Sequence, residues 1–329
     1  SYNIAVQSVD RSGRVSSTVT RSVKTDNSAA DTILAGKDIQ ERTNFSTTLT
    51  SDTNGVIYRE TTSNGTTYYF AGDTDENWVY FAGFYWRIIR INEDGTIRMI
   101  YQGTSTSSTG TGTQIGDVEF YGNSSSNNAH VGYMYQSNQV HGLTSNSTIK
   151  GIVDGWYETN IQNTVYEDLL STEAGFCGDR TPSTDSSSLN NEGGIGTIGT
   201  YYGAYIRLVN NKMPTFECSE EDLYTTNESS DGNKALQYPI GLISADEVVY
   251  AGGVWNFNNV RFYLYTFQYY WTMSPFYYIG RANVFVVNLS GNLSNRVVHA
   301  DHGVRPVINL RSDVTLSGSG TTSNPYTAS

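Results

Sequence analysis

The sequence has few charged residues and lacks a long apolar run. Charged residues make up 16% of the 329 residues, and 20 Lys+Arg against 32 Asp+Glu give a net charge of −12. Because this charge repels phosphate backbones and anionic membranes, we do not expect nucleic acid as a partner. No apolar run approaches the roughly 20 residues that cross a bilayer, so we expect no membrane insertion by this part of the chain.

Cysteine is scarce, and familiar catalytic motifs are missing. Cys177 and Cys218 allow one pairing: a disulfide across a loop-rich insert is favoured if the protein is exported, and two free thiols are the alternative. There is no HExxH, GxSxG or Walker-type glycine loop. Asp246 and Glu247 are adjacent, so on a helix they point apart and make a poor acid/base pair. We predict no catalytic residues, no metal ligands and no cofactor.

Tyrosine and glycine are abundant instead. The chain contains 25 Tyr and 32 Gly. A domain of about 300 residues buries roughly 75% of its unfolded surface, so the chain is long enough for a sizeable core. Many aromatic residues combined with Ser, Thr and Asn are typical of a β-rich extracellular surface protein with long loops.

The first 24 residues predict a β-hairpin. Residues 2–10 and 15–23 alternate in polarity, and Arg11-Ser12-Gly13 supplies the turn. Two strands alone are marginal, so we expect them to pair with the main domain or to be the remnant of a module. Ser1 begins within this pattern, and we expect a signal and an anchor to lie outside the sequence. Residues 25–35 predict a linker or a short helix.

The remaining pattern predicts an α+β fold, because its strands and helices do not alternate as βαβ units. Helices are expected at 147–161, where apolar residues share one face, and at 244–251, where Asp246 and Glu247 occupy the first turn. Weaker predictions are a helical turn at Val165–Leu170 and strands at Val118–Tyr121 and Tyr201–Leu208. The strand signals of the meander are VIYRETT, TTYYFAG, WVYFAGFYWRIIRI and TIRMIYQ between Val56 and Gln102, with a tight turn at Glu93-Asp94-Gly95.

Arginines in this meander have two interpretations. Arg87, Arg90 and Arg98 lie on its strands. They either line a basic ligand groove or pair with the many carboxylates, and pairing is the favoured interpretation.

The stretch Tyr269–Leu310 has strand-like ends and a mixed middle. Pro275 limits how far the first strand continues, so a turn should follow. Ala282, Val284 and Val286 then alternate with Arg281, Asn283 and Phe285, which predicts one buried face and one free face. After a turn at Ser290-Gly291-Asn292, residues 296–302 return as a strand or a long loop, and residues 303–310 form an apolar strand.

This stretch also omits long side chains. From Ser274 to Val304 there is no Lys, Glu, Gln, Met or Trp. Every residue present there is reachable when adenines in Asn or Tyr codons are replaced by any base while the third base stays a pyrimidine. A Tyr, Asn and Ser-rich strand region without long side chains is the alternative.

The motifs of this stretch resemble those of a known family. WTMSP at 271–275 and GVRPVINL at 303–310 frame the mixed residues as in the variable proteins of diversity-generating retroelements. Similar segments are VYFAGFYWRIIRINEDGTIRMIYQG at Val79–Gly103, AGFCGDR at Ala174–Arg180 and YPIGLISADEVVYAGG at Tyr238–Gly253. The resemblance implies a C-type-lectin-like fold at 36–329, with short antiparallel strands, two helices, long loops and a variable region at about 255–305. Residues 1–24 resemble the last strands of an immunoglobulin-like or fibronectin type III module.

The same fold occurs in formylglycine-generating enzymes. Those enzymes need reactive or copper-binding cysteines near the C-terminal core, and no cysteine follows Cys218 here. We therefore expect no enzyme. The resemblance implies a display protein on a bacterial cell surface or phage particle that binds an unknown protein or glycan ligand. A non-diversified adhesin or lectin with a fixed ligand is the alternative.

The predicted ligand-binding surface has the side-chain types of antibody paratopes, where aromatic rings and short polar groups dominate. Its first half is Phe276, Tyr277, Tyr278, Ile279, Arg281, Asn283 and Phe285, and its second half is Asn292, Asn295, Arg296, Val298, His299, Asp301 and His302. Asn256, Phe257, Asn258, Asn259, Arg261 and Phe267 widen it, while Trp271, Pro275, Gly303 and Arg305 are scaffold.

Two alternatives apply to parts of this surface. Phe285 or Tyr278 belongs to the core in the first alternative, since large aromatic side chains are often buried. In the second, His299-Ala300-Asp301-His302 binds a metal ion. Display is favoured over metal binding, because metal ligands need a fixed geometry that a variable stretch does not provide.

Overall fold

The computed structural model describes residues 2–9, 11–16, 18–23, 28–185 and 193–329. Predictions for residues 1, 10, 17, 24–27 and 186–192 lie outside these ranges. Within them the chain is mostly sheet with a few short helices, as expected for an α+β protein.

The first strands run from the N-terminus to the first long helix. They are β1 (Tyr2–Val6), β2 (Val19–Val23), β3 (Asp38–Glu41), β4 (Val56–Thr62), β5 (Gly65–Tyr69), β6 (Trp78–Phe81), β7 (Phe84–Ile91), β8 (Ile97–Gly103), β9 (Asp117–Glu119), β10 (Met134–Tyr135) and β11 (Ser145–Asn146). The later strands are β12 (Phe176–Cys177), β13 (Thr200–Tyr201), β14 (Leu223–Tyr224), β15 (Ile240–Gly241), β16 (Tyr270–Tyr278), β17 (Ala282–Val287), β18 (Leu293–Val297), β19 (Asp301–Gly303), β20 (Val307–Leu310), β21 (Leu316–Ser317) and β22 (Tyr326–Ala328).

Helices are short and lie between these strands. They are α1 (Ala29–Leu34), α2 (Thr148–Asn160), α3 (Gly203–Tyr205), which continues as a π-helix (Ile206–Asn211), and α4 (Ala245–Tyr250). The 3₁₀ turns are Gly110–Thr113, Asn128–Val131 and Glu167–Leu169.

The predicted N-terminal hairpin is confirmed. β1 and β2 pair antiparallel as a sheet of their own, with Tyr2 opposite Val23. The linker region resolves into a helix, since α1 begins after Ser28, whose hydroxyl accepts from the Asp31 N–H.

The predicted meander forms the centre of the larger sheet. Its strand order is β15-β20-β8-β7-β5-β4-β3, and β6, β21 and β22 attach beside β7. Gly95 adopts φ +83° in the tight turn between β7 and β8, a conformation that glycine adopts without strain. β20 inserts between β8 and β15, so the apolar run near the C-terminus is buried, as expected.

The smaller sheet contains the stretch Tyr269–Leu310. Its order is β18-β17-β16-β19-β9, with β13 also on β16. β16 continues past Pro275 to Tyr278, further than the sequence suggests, because register irregularities on both sides of Pro275 remove the need for its missing N–H. The strand predicted at Val118–Tyr121 lies slightly earlier, at Asp117–Glu119.

Both predicted helices are confirmed by their caps. The Ser147 hydroxyl accepts from the Lys150 N–H at the start of α2. At α4, Ser244 and Glu247 form a reciprocal capping box. The predicted helical turn is the 3₁₀ turn Glu167–Leu169.

The strand predicted at Tyr201–Leu208 is wrong beyond its first residue. β13 ends at Tyr201, and the chain turns into α3 and the π-helix. The buried residues Tyr202, Ala204, Ile206 and Leu208 alternate like a strand. Tyr202 and Ile206 also stand at i, i+4 spacing, as do Ala204 and Leu208. Each pair can share one side of a helix, so a helix buried on two sides gives the same alternation.

Glu247 is buried between two strand arginines. It pairs with Arg98 (2.5 Å) and Arg90 (3.3 Å), which confirms carboxylate pairing for these two. Burial alone would raise the pKa of Glu247, but the two arginines and the capping hydrogen bonds outweigh burial and hold that pKa below its ordinary value. Arg87 differs, since it donates to the Asn77 side chain and stacks on Trp78.

Candidate functional site

The framework ends of the stretch are buried, as expected of scaffold. Trp271 is fully buried and donates its Nε1–H to the Val118 carbonyl at 2.9 Å. Arg305 is also fully buried and donates to the carbonyls of Tyr101 (3.1 Å) and Leu264 (3.2 Å). A Cβ on Gly303 would stand 2.8 Å from the Tyr269 carbonyl oxygen, a backbone atom that cannot simply turn away, so this position favours glycine.

The prediction of a free face on β17 is wrong. Every residue from Ala282 to Val287 is buried. The second face is covered by aromatic rings, since Phe276 lies 4.8 Å from Phe285 and Trp255 stacks on Phe276 at 4.7 Å. Trp255 comes from a separate segment, and its packing there turns the predicted exposed face into core.

Several predicted ligand-binding residues therefore belong to the interior. The buried members are Phe276, Tyr278, Asn283, Phe285, Asn292 and Val298. Their polar groups are engaged internally: the Tyr278 hydroxyl donates to the Ser126 carbonyl, and the Asn292 amide donates to Asn258. The core alternative is thus correct for both Tyr278 and Phe285, because ring packing on the covered face outweighs display.

The other predicted residues remain accessible. Ile279, Arg281, His299 and Asp301 are exposed, and we call them the exposed positions. Tyr277, Asn295, Arg296 and His302 are half-buried. All exposed positions except Asp301 lie in turns or loops between strands.

One end of the smaller sheet brings three exposed positions together. Ile279 and Arg281 form the turn between β16 and β17, and His299 follows Val298 after β18. The Val298 N–H donates to the Ala282 carbonyl at 3.1 Å. Arg281 and His299 are the chain neighbours of these two residues, so this hydrogen bond holds them close together. We call Ile279, Arg281 and His299 the loop end. Asp301 lies apart, opposite Glu119 on β9.

Each predicted half of the surface is divided between the two faces of the smaller sheet. Arg296 is opposite Val284 across β17 and β18, whereas Tyr277 is opposite Asn283 across β16 and β17. Neighbouring strand residues point to opposite faces, so Arg296 and Tyr277 project in opposite directions. Asn295 of the second half is opposite Phe285 of the first, but Phe285 is buried. The exposed residues of the two halves come together at the loop end.

Arg296 belongs to a stack of side chains on its own face. Its guanidinium lies 4.4 Å from the Tyr269 ring, and that ring stacks on His302 at 4.9 Å. Burial, and then the Arg296 charge, lower the pKa of His302 to about 4. The imidazole is therefore neutral at physiological pH, and the stack carries the charge of Arg296 alone.

The residues expected to widen the surface lie elsewhere. Asn256, Phe257, Asn258, Arg261 and Phe267 are exposed, but Asn259 is buried and donates to the carbonyls of Leu49 and Gly252. Asn258 contacts Asn292, at the end of β17 opposite the loop end. These side chains are not continuous with the loop end.

Tyr201 and Tyr205 were missed by the sequence analysis. Tyr201 on β13 is opposite Tyr277 on β16, and their rings lie 5.8 Å apart. Tyr205 on α3 lies 4.3 Å from Tyr201. Local aromatic density marks this segment, but its place beside β16 depends on a long-range strand pair.

Within the described ranges, no group of three or more His, Cys, Asp or Glu side chains is arranged to hold a metal ion. Among the described helices, none has the length and apolar character needed to span a membrane.

No protein-family model, curated protein or solved structure matches the chain significantly.

Proposed function

We propose that this protein is a ligand-binding display protein and that the loop end is the centre of its binding surface. The ligand is a protein or a glycan, and binding involves no catalysis. The observation that carries the proposal is the contrast within one stretch. Ile279, Arg281 and His299 are exposed in loops, while β16 and β17, the two strands joined by the turn with Ile279 and Arg281, are almost entirely buried on both faces.

This contrast supports binding on physical grounds. Loops on a rigid scaffold tolerate substitution and carry recognition, whereas substitution of packed strand residues costs stability. Arginine, histidine and isoleucine at the loop end offer charge, hydrogen bonding and apolar contact within a small area. A ligand therefore meets varied chemistry on a preformed support, which reduces the entropy cost of binding.

The proposal includes the C-type-lectin-like fold and diversification by a retroelement. Its support is the framework sequence at 271–275 and 303–310, together with the absence of Lys, Glu, Gln, Met and Trp between Ser274 and Val304. An extracellular location on a bacterial surface or phage particle follows from the same resemblance, and nucleic acid is not a proposed partner. The disulfide between Cys177 and Cys218 is compatible with that location.

The competing candidate is an adhesin or lectin of the same fold with a fixed ligand. It shares the scaffold and the exposed loop end but requires no diversification. The two candidates differ in their expected natural variation.

Sequencing the coding region in many isolates separates the candidates. Diversification predicts that substitutions concentrate at the exposed positions, in adenine-containing codons, while Trp271 and Phe285 stay fixed. Exposed residues outside the stretch, such as Tyr80 and Ile152, give the background rate. An invariant loop end, or variation equal to that background, rejects diversification; binding to a glycan array then tests the fixed-ligand adhesin.

A further inference from the structure

The disulfide closes an insert that reaches the candidate binding surface. Cys177 and Cys218 are bonded, and they enclose residues 178–217 of the chain. Within the described part of this insert, β13 pairs with the last residues of β16, placing Thr200 opposite Tyr278 and Tyr201 opposite Tyr277. The insert thus adds a strand beside the turn that carries Ile279 and Arg281.

The insert contributes aromatic rings to this place. The rings of Tyr201 and Tyr205 lie 4.3 Å apart, and Tyr201 lies 5.8 Å from Tyr277. Tyr205 also contacts the buried Phe276 edge-on at 5.0 Å. Tyr201, Tyr205 and Tyr277 are each half-buried, so each ring rests on the protein and keeps an open side.

Ion pairs and packing fix the described part of the insert around Tyr205. Arg207 follows Tyr205 and donates to Asp179 at 2.5 Å and to Asp246 on α4 at 2.9 Å. Tyr202 and Ala204, on either side of the helix start, are fully buried. The open tyrosine rings therefore stand on a rigid base and lose little conformational freedom when a ligand contacts them.

The ring cluster continues into the loop end. The segment before β13 runs beside the turn after β16, because Thr200 pairs with Tyr278. Ile198 in the first segment is 45% exposed, and Ile279 in the second is 46% exposed. The strand pairing thus brings two exposed isoleucines to the end of β13 and β16 next to the tyrosines, and Arg281 follows Ile279 by two residues.

We propose that the insert is a fixed half of the binding surface, with Tyr201 and Tyr205 contacting a protein ligand that the loop end selects. This inference rests on the proposed function. A protein ligand is favoured because tyrosine and arginine beside apolar side chains are the composition of protein interface centres. The loop end varies specificity, while the two tyrosines supply contact area that does not change.

A selection experiment on the full chain tests this division of roles. A library randomised at the four exposed positions is selected against hen egg-white lysozyme as the probe protein. Tyr201→Ala and Tyr205→Ala are then made in the selected binders. Tyr80→Ala on β6 is the control, since Tyr80 is a solvent-accessible tyrosine on the larger sheet. We expect each insert variant to weaken lysozyme binding at least tenfold and the control to change it less than twofold.

A second measurement avoids dependence on variant folding. Hydroxyl-radical footprinting of a binder with its natural insert should show protection of Tyr201 and Tyr205 by lysozyme. Tyr201→Phe, which keeps the ring, should retain most of the affinity that Tyr201→Ala loses.

The outcomes separate the inference from the function on which it rests. Binders that keep their affinity in both alanine variants and leave both tyrosines unprotected overturn the fixed-half inference alone. A library that yields no lysozyme binder overturns protein binding at the loop end, and the inference with it. If no lysozyme binder is found but the chain binds a glycan array and loses that binding in the tyrosine variants, the surface binds sugars instead.

Discussion

Removing the disulfide measures how much closure of the insert stabilises the protein. The bond joins residues separated by 41 positions. In the chain-entropy relation, a closed loop of this length removes about 13 cal/mol/K from the unfolded state, or about 4 kcal/mol at room temperature. Without the disulfide, the ion pairs of Arg207 and the pairing of β13 with β16 still hold the folded insert in place. We therefore expect the lost stability to come from the greater conformational entropy of the unfolded chain.

The assay is urea unfolding of the wild-type chain and of the variant Cys177→Ser with Cys218→Ser, followed by tryptophan fluorescence. The double variant and the reduced wild type should both lose about 4 kcal/mol of unfolding free energy. Reductant added to the double variant is the control and should have no effect.

A loss below about 1 kcal/mol would refute the loop-closure reasoning. Such a result would mean that residual structure in the unfolded chain already keeps residues 177 and 218 close together without the disulfide. A large loss of stability in only the double variant or only the reduced wild type would show that the serine substitutions or the reductant destabilise the fold directly. It would not reflect loop entropy.

Three further changes probe the interior and the loop end. Glu247→Gln should cost about 3–5 kcal/mol by leaving buried arginine unpaired. Because the folded pKa of Glu247 is lowered, the wild-type chain should also lose stability as pH falls from the ordinary glutamate value of 4.5 through the folded pKa, which urea titrations at several pH values check. Phe285→Ala should cost about 3–5 kcal/mol, and Ile279→Ala less than about 0.5 kcal/mol; equal losses in thermal melts would contradict the assigned burial. Gly303→Ala should destabilise by about 1–3 kcal/mol, whereas Gly151→Ala, with open space around its Cβ, should stabilise α2 by about 0.5–1 kcal/mol in the same assay.

Local chemistry made much of the fold predictable. Ser147 and Ser244 start helices because their hydroxyls accept from backbone N–H groups three residues on, and this signal is written in consecutive residues. The strand Val56–Thr62 was predicted with its observed bounds for a similar reason, since alternation and flanking turns are local.

The site was less predictable because it depends on distant segments. Alternation placed Phe285 on one face of β17, but whether Trp255 covers that face is decided by packing between segments. Tyr205 was missed because β13 brings it beside β16 through the pairing of Tyr201 with Tyr277. Sequence spacing does not reveal a pairing between such distant residues. Ile279, Arg281 and His299 were all among the residues predicted to be displayed, because turn residues mark this part of the sequence.

The position of β20 has a consequence for how the protein is made. β20 fills the gap between β8 and β15, with Val307 opposite Ile100 on one side and Gly241 on the other. Until Leu310 has left the ribosome, the edges of β8 and β15 that pair with β20 remain unpaired. Unpaired apolar strand edges promote aggregation with other chains. We therefore expect the larger sheet to close slowly, only after β20 has emerged, and to depend on chaperones that cover these edges while β20 is still missing.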